Sequence, residues 1–356
     1  MKVIPEKYER FLMPATLIAG TALDFFTFNT IQMSSQLLLL GVYFLIAGLA
    51  IAYIHLHDAK GEVERHPISR FARATSQAAL QFCFGALLSS SLVFYWYSGA
   101  LGATWPIILV LAALMVSNEV FRKYYSLPIV QIAVYFFTAF SLLTLTLPVV
   151  FNSLSVWLFI YSGVLSMVFI SFYIAGLARF VLHIRERVYR LFIPVLAIFG
   201  AMNALYFLNI IPPIPLSVRE AGVYHNIKRV GNDYILLEED RAWWDGFIPG
   251  QTVHVTTGEK VYVYASIFAP ADLNTSIVHD WQYYDETVGA WVSKDKLSYS
   301  ITGGRKQGYR GYTLKSSVQP GKWRVDVKTP RGQVLGRVGF TVEKVDQQPF
   351  LFEVKR

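Results

Sequence analysis

Ile211-Pro212-Pro213-Ile214-Pro215-Leu216-Ser217 divides this chain into two regions with different hydrophobic periods. Three prolines within four positions remove backbone donors and fix φ, so no helix runs through them and an extended, polyproline-type spacer is favoured. Before it lie long apolar runs; after it apolar and polar residues alternate one by one. Runs of about 20 apolar residues at ~1.5 Å rise suit membrane-crossing helices. Alternation suits half-buried β-strands. The chain therefore reads as a seven-helix transmembrane region at 1–210, a Pro-rich linker at 211–217 and an extracytoplasmic β-sandwich at 218–356.

Working back from the linker, the apolar spans fall at about 10–28, 36–55, 74–96, 101–118, 127–149, 155–178 and 191–210. Thirteen basic residues occupy alternate gaps: Lys2, Lys7 and Arg10; Lys60, Arg65, Arg70 and Arg73; Arg122 and Lys123; Arg179, Arg185, Arg187 and Arg190. The other gaps have none, the distribution that the positive-inside rule produces. It predicts a cytoplasmic N-terminus, seven crossings and an extracytoplasmic C-terminal region. Short outer gaps such as 29–35 and 151–153 predict an up-down bundle, and the longer gap around His55, His57, Asp58 and His66 reads as a cytoplasmic surface segment.

Composition excludes some function classes. Residues 1–210 hold 13 basic and 8 acidic groups, and residues 211–356 hold 19 and 16. Much of the net charge of +8 therefore belongs to loops facing anionic lipid. No basic run with interleaved aromatics suggests a nucleic-acid groove. The single cysteine, Cys83, sits in an apolar span and has no partner for an intrachain disulfide. The first apolar run contains Pro14 and Asp24 and lacks a clear small-x-small cleavage site, so it reads as an uncleaved signal-anchor helix. Gly41, Gly48, Gly85, Ser89 and Ser90 offer close approach between helices.

After the linker, Trp323, Val325 and Val327 alternate with Arg324, Asp326 and Lys328; Leu297, Tyr299 and Ile301 and then Val338, Phe340 and Val342 do likewise. Further strands are predicted at 222–229, 232–238, 251–257, 260–268, 277–284 and 308–318. Eight or nine short strands punctuated by Gly and Pro predict an antiparallel sandwich of immunoglobulin-like type.

His279-x-Trp281, Trp291-Val292, Gly303-Gly304-Arg305, Gly308-Tyr309-Arg310 and Pro320-Gly321-Lys322-Trp323-Arg324-Val325-Asp326-Val327, closed by Gly332, Gly336 and Phe340, carry a resemblance. Over roughly 265–343 the chain resembles a bacterial domain family of unknown function. Asn118-Glu119-x-x-Arg122 and the 211–217 linker are similar to the membrane module that accompanies this domain in envelope proteins of Gram-negative bacteria. The resemblance implies a bacterial inner-membrane anchor with a periplasmic sandwich, and it implies no reaction.

Several residues are candidates for chemistry. Asp24 lies well inside the first span with Thr21 and Thr27 on its face, a costly position unless paired or wet; it marks either a polar pathway or an interface position. Asn118, Glu119 and Arg122 share a helical face, as a polar lock or headgroup site, or as an intrahelical pair. Gln81, Gln131, Asn203 and Asn209 read as interhelical glue. His55-x-His57, with Asp58, Glu62, Glu64 and His66 nearby, is thin evidence for a metal, and no metal or other cofactor is expected. No H-E-x-x-H, G-x-S-x-G, P-loop or CxxC pattern occurs.

In the C-terminal region His279, Trp281 and Tyr283 share a strand face, either as an exposed binding stripe or as core. Trp243-Trp244 lies in a Gly/Pro-bounded loop suited to the membrane interface or to core filling. Arg305, Lys306, Tyr309 and Arg310 frame a glycine-rich turn that reads as an anion site or as a solvated hairpin tip. Three functions follow: a non-catalytic envelope protein whose sandwich binds a partner protein or glycan, which the absent catalytic signature favours; a transporter or lipid-handling protein with a polar cavity near Asp24 and Asn118–Arg122; and a membrane enzyme, for which converging acids, bases or ligands are missing. Oligomeric state stays open.

Overall fold

The computed structural model describes residues 33–59, 67–98, 101–120, 124, 127–211, 216–231, 233–239, 251–268, 274–302 and 309–356. They form two compact units, a helical one that ends at Ile210 and a β-rich one that begins at Ile211.

The helical unit contains α1 (Met33–Ala59), α2 (Pro67–Ser98), α3 (Leu101–Val120), α4 (Pro128–Val150), α5 (Val156–Phe180), the short α6 (Leu182–Arg185) and α7 (Val188–Phe207). Among the described residues five segments are long and apolar enough to cross a membrane: Ser35–Ala59, Phe71–Trp96, Pro128–Val150, Val156–Phe180 and Val188–Phe207. Trp105–Asn118 in α3 is a shorter apolar helix. The span expected at 10–28 lies outside the described residues.

Helix ends differ from the apolar boundaries for a physical reason. Helix α1 continues past residue 55 through His55, His57 and Asp58, and α2 starts at Pro67 instead of 74. Across these extensions Arg73 donates to Asp58 from Nε at 3.2 Å and from Nη2 at 2.9 Å. A fork-shaped ion pair keeps both polar helix ends wound, so His55 and His57 lie on a helix and not in a loop.

Helix α4 sits among α1, α5 and α7. Pro128 opens it from an extended Leu127, the conformation a residue before proline prefers. Tyr135 stacks on Phe44 of α1 at 4.4 Å, and Phe159 of α5 stacks on Tyr206 of α7 at 3.6 Å. Gly48 lets α1 approach closely: a Cβ there would collide with the Tyr135 hydroxyl, and Tyr173 donates to the Gly48 carbonyl at 2.6 Å. Gly41 has open space around it and plays no such part.

Among the described residues the β unit contains eleven strands: β1 (Ser217–Tyr224), β2 (Asn226–Val230), β3 (Asp233–Glu239), β4 (Gln251–Val255), β5 (Val261–Phe268), β6 (Asn274–Asp285), β7 (Ala290–Thr302), β8 (Tyr309–Lys315), β9 (Gly321–Lys328), β10 (Val334–Lys344) and β11 (Leu351–Lys355). They pair in three sheets, β1-β5-β8, β4-β10-β9-β6-β7 and β11-β3-β2. The first two share a core that includes Val223, Val261 and Val263 from one side and Trp281, Trp323, Val325 and Phe340 from the other. This is a sandwich-like arrangement. Tyr224, Ile227, Tyr234, Leu236 and Tyr264 join the third sheet to it.

Three expectations change. The strand expected at 222–229 is two strands, because at His225 the chain leaves β1, paired with β5, and enters β2, paired with β3. The pairing is not wholly antiparallel, since β4 runs parallel to β10. Strand β11 is additional; its short charged sequence hides an alternation that pairs with β3. The ends of the proline segment are held rather than free, with Ile211 and Leu216 buried and Gln333 donating to the Ile211 carbonyl at 3.3 Å.

Candidate functional site

The densest chemistry among the described residues lies on the outer face of β6, β7, β9 and β10. Alternation sends Ile277, His279, Trp281 and Tyr283 of β6 to one face and Asp280 and Gln282 to the other. On β9, Trp323, Val325 and Val327 go inward and Arg324, Asp326 and Lys328 outward. Register then sets Asp280 directly opposite Asp326, Gln282 opposite Arg324, and Arg337 opposite Asp326. Like charges in facing positions repel, so this pair needs cations. Lys328 Nζ lies 2.6 Å from Asp280 and 3.3 Å from Asp326, and Arg337 grips Asp326 with Nε at 2.6 Å and Nη2 at 3.2 Å. Ser293 and Gln282 donate to Asp280 at 2.5 Å and 2.7 Å. Burial pushes the Asp280 carboxyl up, but the bonds from Lys328, Ser293 and Gln282 outweigh it and hold it below the usual carboxylate range. Both carboxylates are almost fully buried.

Arg324 is different from its neighbours. Its Nε donates to Gln282 Oε1 at 2.7 Å, and its guanidinium lies over the Trp291 ring at 4.4 Å. Trp291 in turn meets Tyr284 edge-on at 5.2 Å. No carboxylate pairs with Arg324 among the described residues. Burial lowers its pKa, and repulsion from Arg337 adds to that. A planar donor fork is thus fixed in orientation, half-buried, with its Nη groups uncommitted. Such a fork suits an anionic, two-oxygen group.

A second cluster sits at the sheet-switching corner. His225 bonds Glu259 Oε1 through Nδ1 at 2.6 Å and Glu239 Oε1 through Nε2 at 2.8 Å. Glu239 also accepts from the His254 backbone at 2.7 Å and from its Nδ1 at 2.7 Å. The Thr256 backbone donates to Glu259 at 2.8 Å. Burial alone would push the His225 imidazole down, yet its two glutamate partners hold it above its ordinary value. Burial likewise opposes ionisation of Glu239, and the histidine donors overcome this to bring it to about 2. The donor set is consumed by its own hydrogen bonds, and no group of three or more His, Cys, Asp or Glu among the described residues is arranged to hold a metal ion. This cluster ties three sheets at one corner.

The residues singled out from sequence are distributed as follows. Asp24, Arg122, Trp243, Trp244, Arg305 and His66 lie outside the described residues, and Glu119 is placed near the end of α3. Asn118 is buried and donates to the Gln81 carbonyl at 3.0 Å, a link between α3 and α2. His55 bonds Gln131 at 2.9 Å, joining α1 to α4. His279 and Trp281 are 0% exposed, which corrects their candidacy for an exposed stripe. Trp281 donates to Thr313 Oγ1 at 3.0 Å and the same hydroxyl shares a hydrogen bond with His279 Nδ1 at 2.8 Å, so the pair pins β6 to β8. Burial lowers the His279 pKa to about 4 and keeps it neutral. Tyr309 and Arg310 open β8; Arg310 lies over Tyr234 at 5.9 Å and accepts the Tyr234 hydroxyl on its carbonyl at 3.1 Å.

Asp280 and Gln282 escaped notice because they are the intervening residues of His279-x-Trp281 and its continuation. The available signal was the outward set of β9, Arg324-x-Asp326-x-Lys328, too charged for an ordinary solvated strand face.

The family described as "Protein of unknown function (DUF2914)" matches residues 274–342, from β6 into β10. This fits the C-terminal domain of unknown function expected from the sequence. The matched segment contains the whole outer-face network. No curated protein matches the chain. Among solved structures, a beta-glucosidase from Listeria innocua in complex with gluconolactone is 14% identical over 33% of this chain and 17% of its own, with a TM-score of 0.20. An alkylpurine DNA glycosylase AlkC from Pseudomonas fluorescens, bound to DNA containing an abasic site analog, is 11% identical over 85% and 97% of the two chains, with a TM-score of 0.22. Neither likeness bears on the fold or activity of this protein.

Proposed function

We propose that this chain is a non-catalytic accessory protein of the bacterial inner membrane that presents its β unit in the periplasm to a partner protein or envelope glycan. Five membrane-length apolar helices joined to a domain of unknown function are compatible with a membrane accessory role. The observation that carries the binding reading is Arg324, locked on Trp291 by Gln282 and without a carboxylate partner among the described residues. Trp, Tyr and Arg dominate the anchor residues of protein interfaces, and Trp291, Tyr284 and Arg324 adjoin one another. The ligand group that this geometry recognises is a carboxylate or another flat anion.

The transporter alternative placed a polar cavity at Asp24 and Asn118–Arg122. Asn118 spends its amide donor on the Gln81 carbonyl, which favours interhelical glue at that position.

The test is photo-crosslinking in intact cells from a reactive residue placed at the exposed Lys322. Wild type should give a discrete adduct. Arg324→Ala should weaken it by on the order of 30-fold, the effect of a central anchor. Arg324→Lys should weaken it too, because charge is kept and the fork is lost. An adduct unchanged in both variants would sink this assignment of the face.

A further inference from the structure

Two cavities in the helical unit meet at Ile129. One is an apolar groove of about 820 Å³ between α3, α4 and α7. The other is a smaller pocket of about 230 Å³ bordered by His183, Arg187 and Arg190. Ile129 lines both. The wall on α7 runs from Pro194 to Leu205, eleven rises or about 16 Å. That is close to half of the ~30 Å hydrocarbon thickness, the depth of one leaflet. The basic pocket lies at the start of α7, just before the groove wall begins.

Basic side chains outnumber acidic ones at this end, where Arg185, Arg187 and Arg190 stand with the one carboxylate of Glu186 in 182–190. No acidic side chain lines the pocket among the described residues. Arg187 is exposed and has no acidic partner among them, and Arg190 uses Nε on the Tyr189 hydroxyl at 2.8 Å. One apolar slot of single-leaflet length ending in two arginines and a histidine has the chemistry of an amphiphile with an anionic head.

We propose that this composite cavity holds one anionic phospholipid, its phosphate at Arg187 and Arg190 and an acyl chain along the α3–α4–α7 groove. The proposal rests on the membrane placement of the helices given above. Basic residues near a membrane surface attract anionic lipid, and because Arg187 and Arg190 border one pocket both can reach a single headgroup.

Full-length protein, delipidated in mild detergent, should be titrated with phosphatidylglycerol and with phosphatidylcholine and read by native mass spectrometry. Wild type should retain phosphatidylglycerol about tenfold better, and the double variant R187A/R190A should lose on the order of 30-fold. Arg185→Ala, which removes one arginine charge just outside the pocket, should leave retention nearly unchanged. Ala201→Trp, which fills the groove from an exposed position, should reduce retention of both lipids. Equal retention of the two lipids, an Arg185→Ala effect equal to the double variant, or an indifferent Ala201→Trp overturns the proposal. So does efficient crosslinking in membranes between a cysteine at position 201 and one within residues 10–28, which would show the groove covered by that segment. Alkaline extraction separates the two levels: release from the membrane pellet removes the membrane placement itself, whereas retention in the pellet without lipid preference removes only the site.

Discussion

In the helical unit Ser162 donates to Leu158 O at 2.7 Å, Ser166 to Ser162 O at 2.6 Å and Thr144 to Phe140 O at 2.8 Å, each one turn back along its own helix. In the β unit Asp280 and Asp326 are buried against each other and reach Lys328 and Gln282 on their own two strands and Ser293 and Arg337 on two more, β7 and β10. Within their apolar spans the helices satisfy many hydroxyls on their own backbone, add a few interhelical bonds such as Asn118 to Gln81 and His55 to Gln131, and keep the charged Asp58–Arg73 pair at the helix ends. Their cohesion comes mainly from ring stacking and close approach. The sheets satisfy it with charges held across strands. Loss of a helical hydroxyl leaves nothing stranded. Loss of one sheet carboxylate leaves two cations facing each other beside a second carboxylate.

That asymmetry fixes the largest expected effect. Asp326→Ala removes the acceptor of Arg337 and one of two acceptors of Lys328, and should destabilise the β unit by about 3 kcal/mol. Chemical unfolding of the full-length protein in micelles, followed by near-UV circular dichroism, reads it. A change below about 0.5 kcal/mol, the size typical of an ordinary surface substitution, would mean that the network is decoration on a solvated face.

Acid should sharpen the comparison next. Glu239 is lowered from 4.5 to about 2, so its contribution is present above pH 4.5 and disappears as pH falls toward 2. At pH 3 this loss is about 2 kcal/mol. His225 is raised above 6.5, so its contribution is full below pH 6.5 and fades as pH rises through the folded value. The corner is therefore firmest between about pH 4.5 and 6.5. Protection of the His225 and His254 amides against hydrogen exchange, corrected for the intrinsic rate at each pH, should fall on both sides of that window, while protection of amides in α4 and α5 holds steady. Flat protection at the corner across the range would show that the imidazole–carboxylate contacts carry no net energy.

The sequence made the helices legible because a long apolar run has one reading, and five of the seven expected spans reappear as membrane-length helices. Ion pairs such as Asp58–Arg73 were invisible, since they extend helices beyond their apolar cores through partners 15 residues apart. Strand alternation located most of the sheets and put Trp323 and Val325 inside. It gave no register, and register is what places Asp280 against Asp326. It also could not reveal that His225 is a corner, because the residues that fix it, Glu239 and Glu259, lie 14 and 34 positions away. Composition left the His279–Trp281 stripe open between binding face and core and the Arg305–Arg310 turn open between anion site and solvated tip. Pairing across strands makes His279 a core residue and singles out Arg324, which has no carboxylate partner among the described residues.

The smallest effects test whether cohesion of the helical unit is a matter of shape. Gly48 and Gly41 stand seven positions apart on α1, and sequence treats them alike. Around Gly48 a new side chain meets the Tyr135 hydroxyl, and that ring is already wedged against Phe44 and near Tyr173. Around Gly41 none of the described residues comes within 4 Å. Gly48→Leu should therefore cost about 1.5 kcal/mol through overpacking, measured as a fall in the detergent-melting midpoint. Gly41→Leu should be neutral or stabilising by up to about 1 kcal/mol, because the glycine's conformational entropy is removed and no contact is disturbed. Similar losses at both positions would locate the cost in α1 itself rather than in its contact with α4. The contrast between a shape-held helical unit and a charge-held β unit would then fail on the helical side.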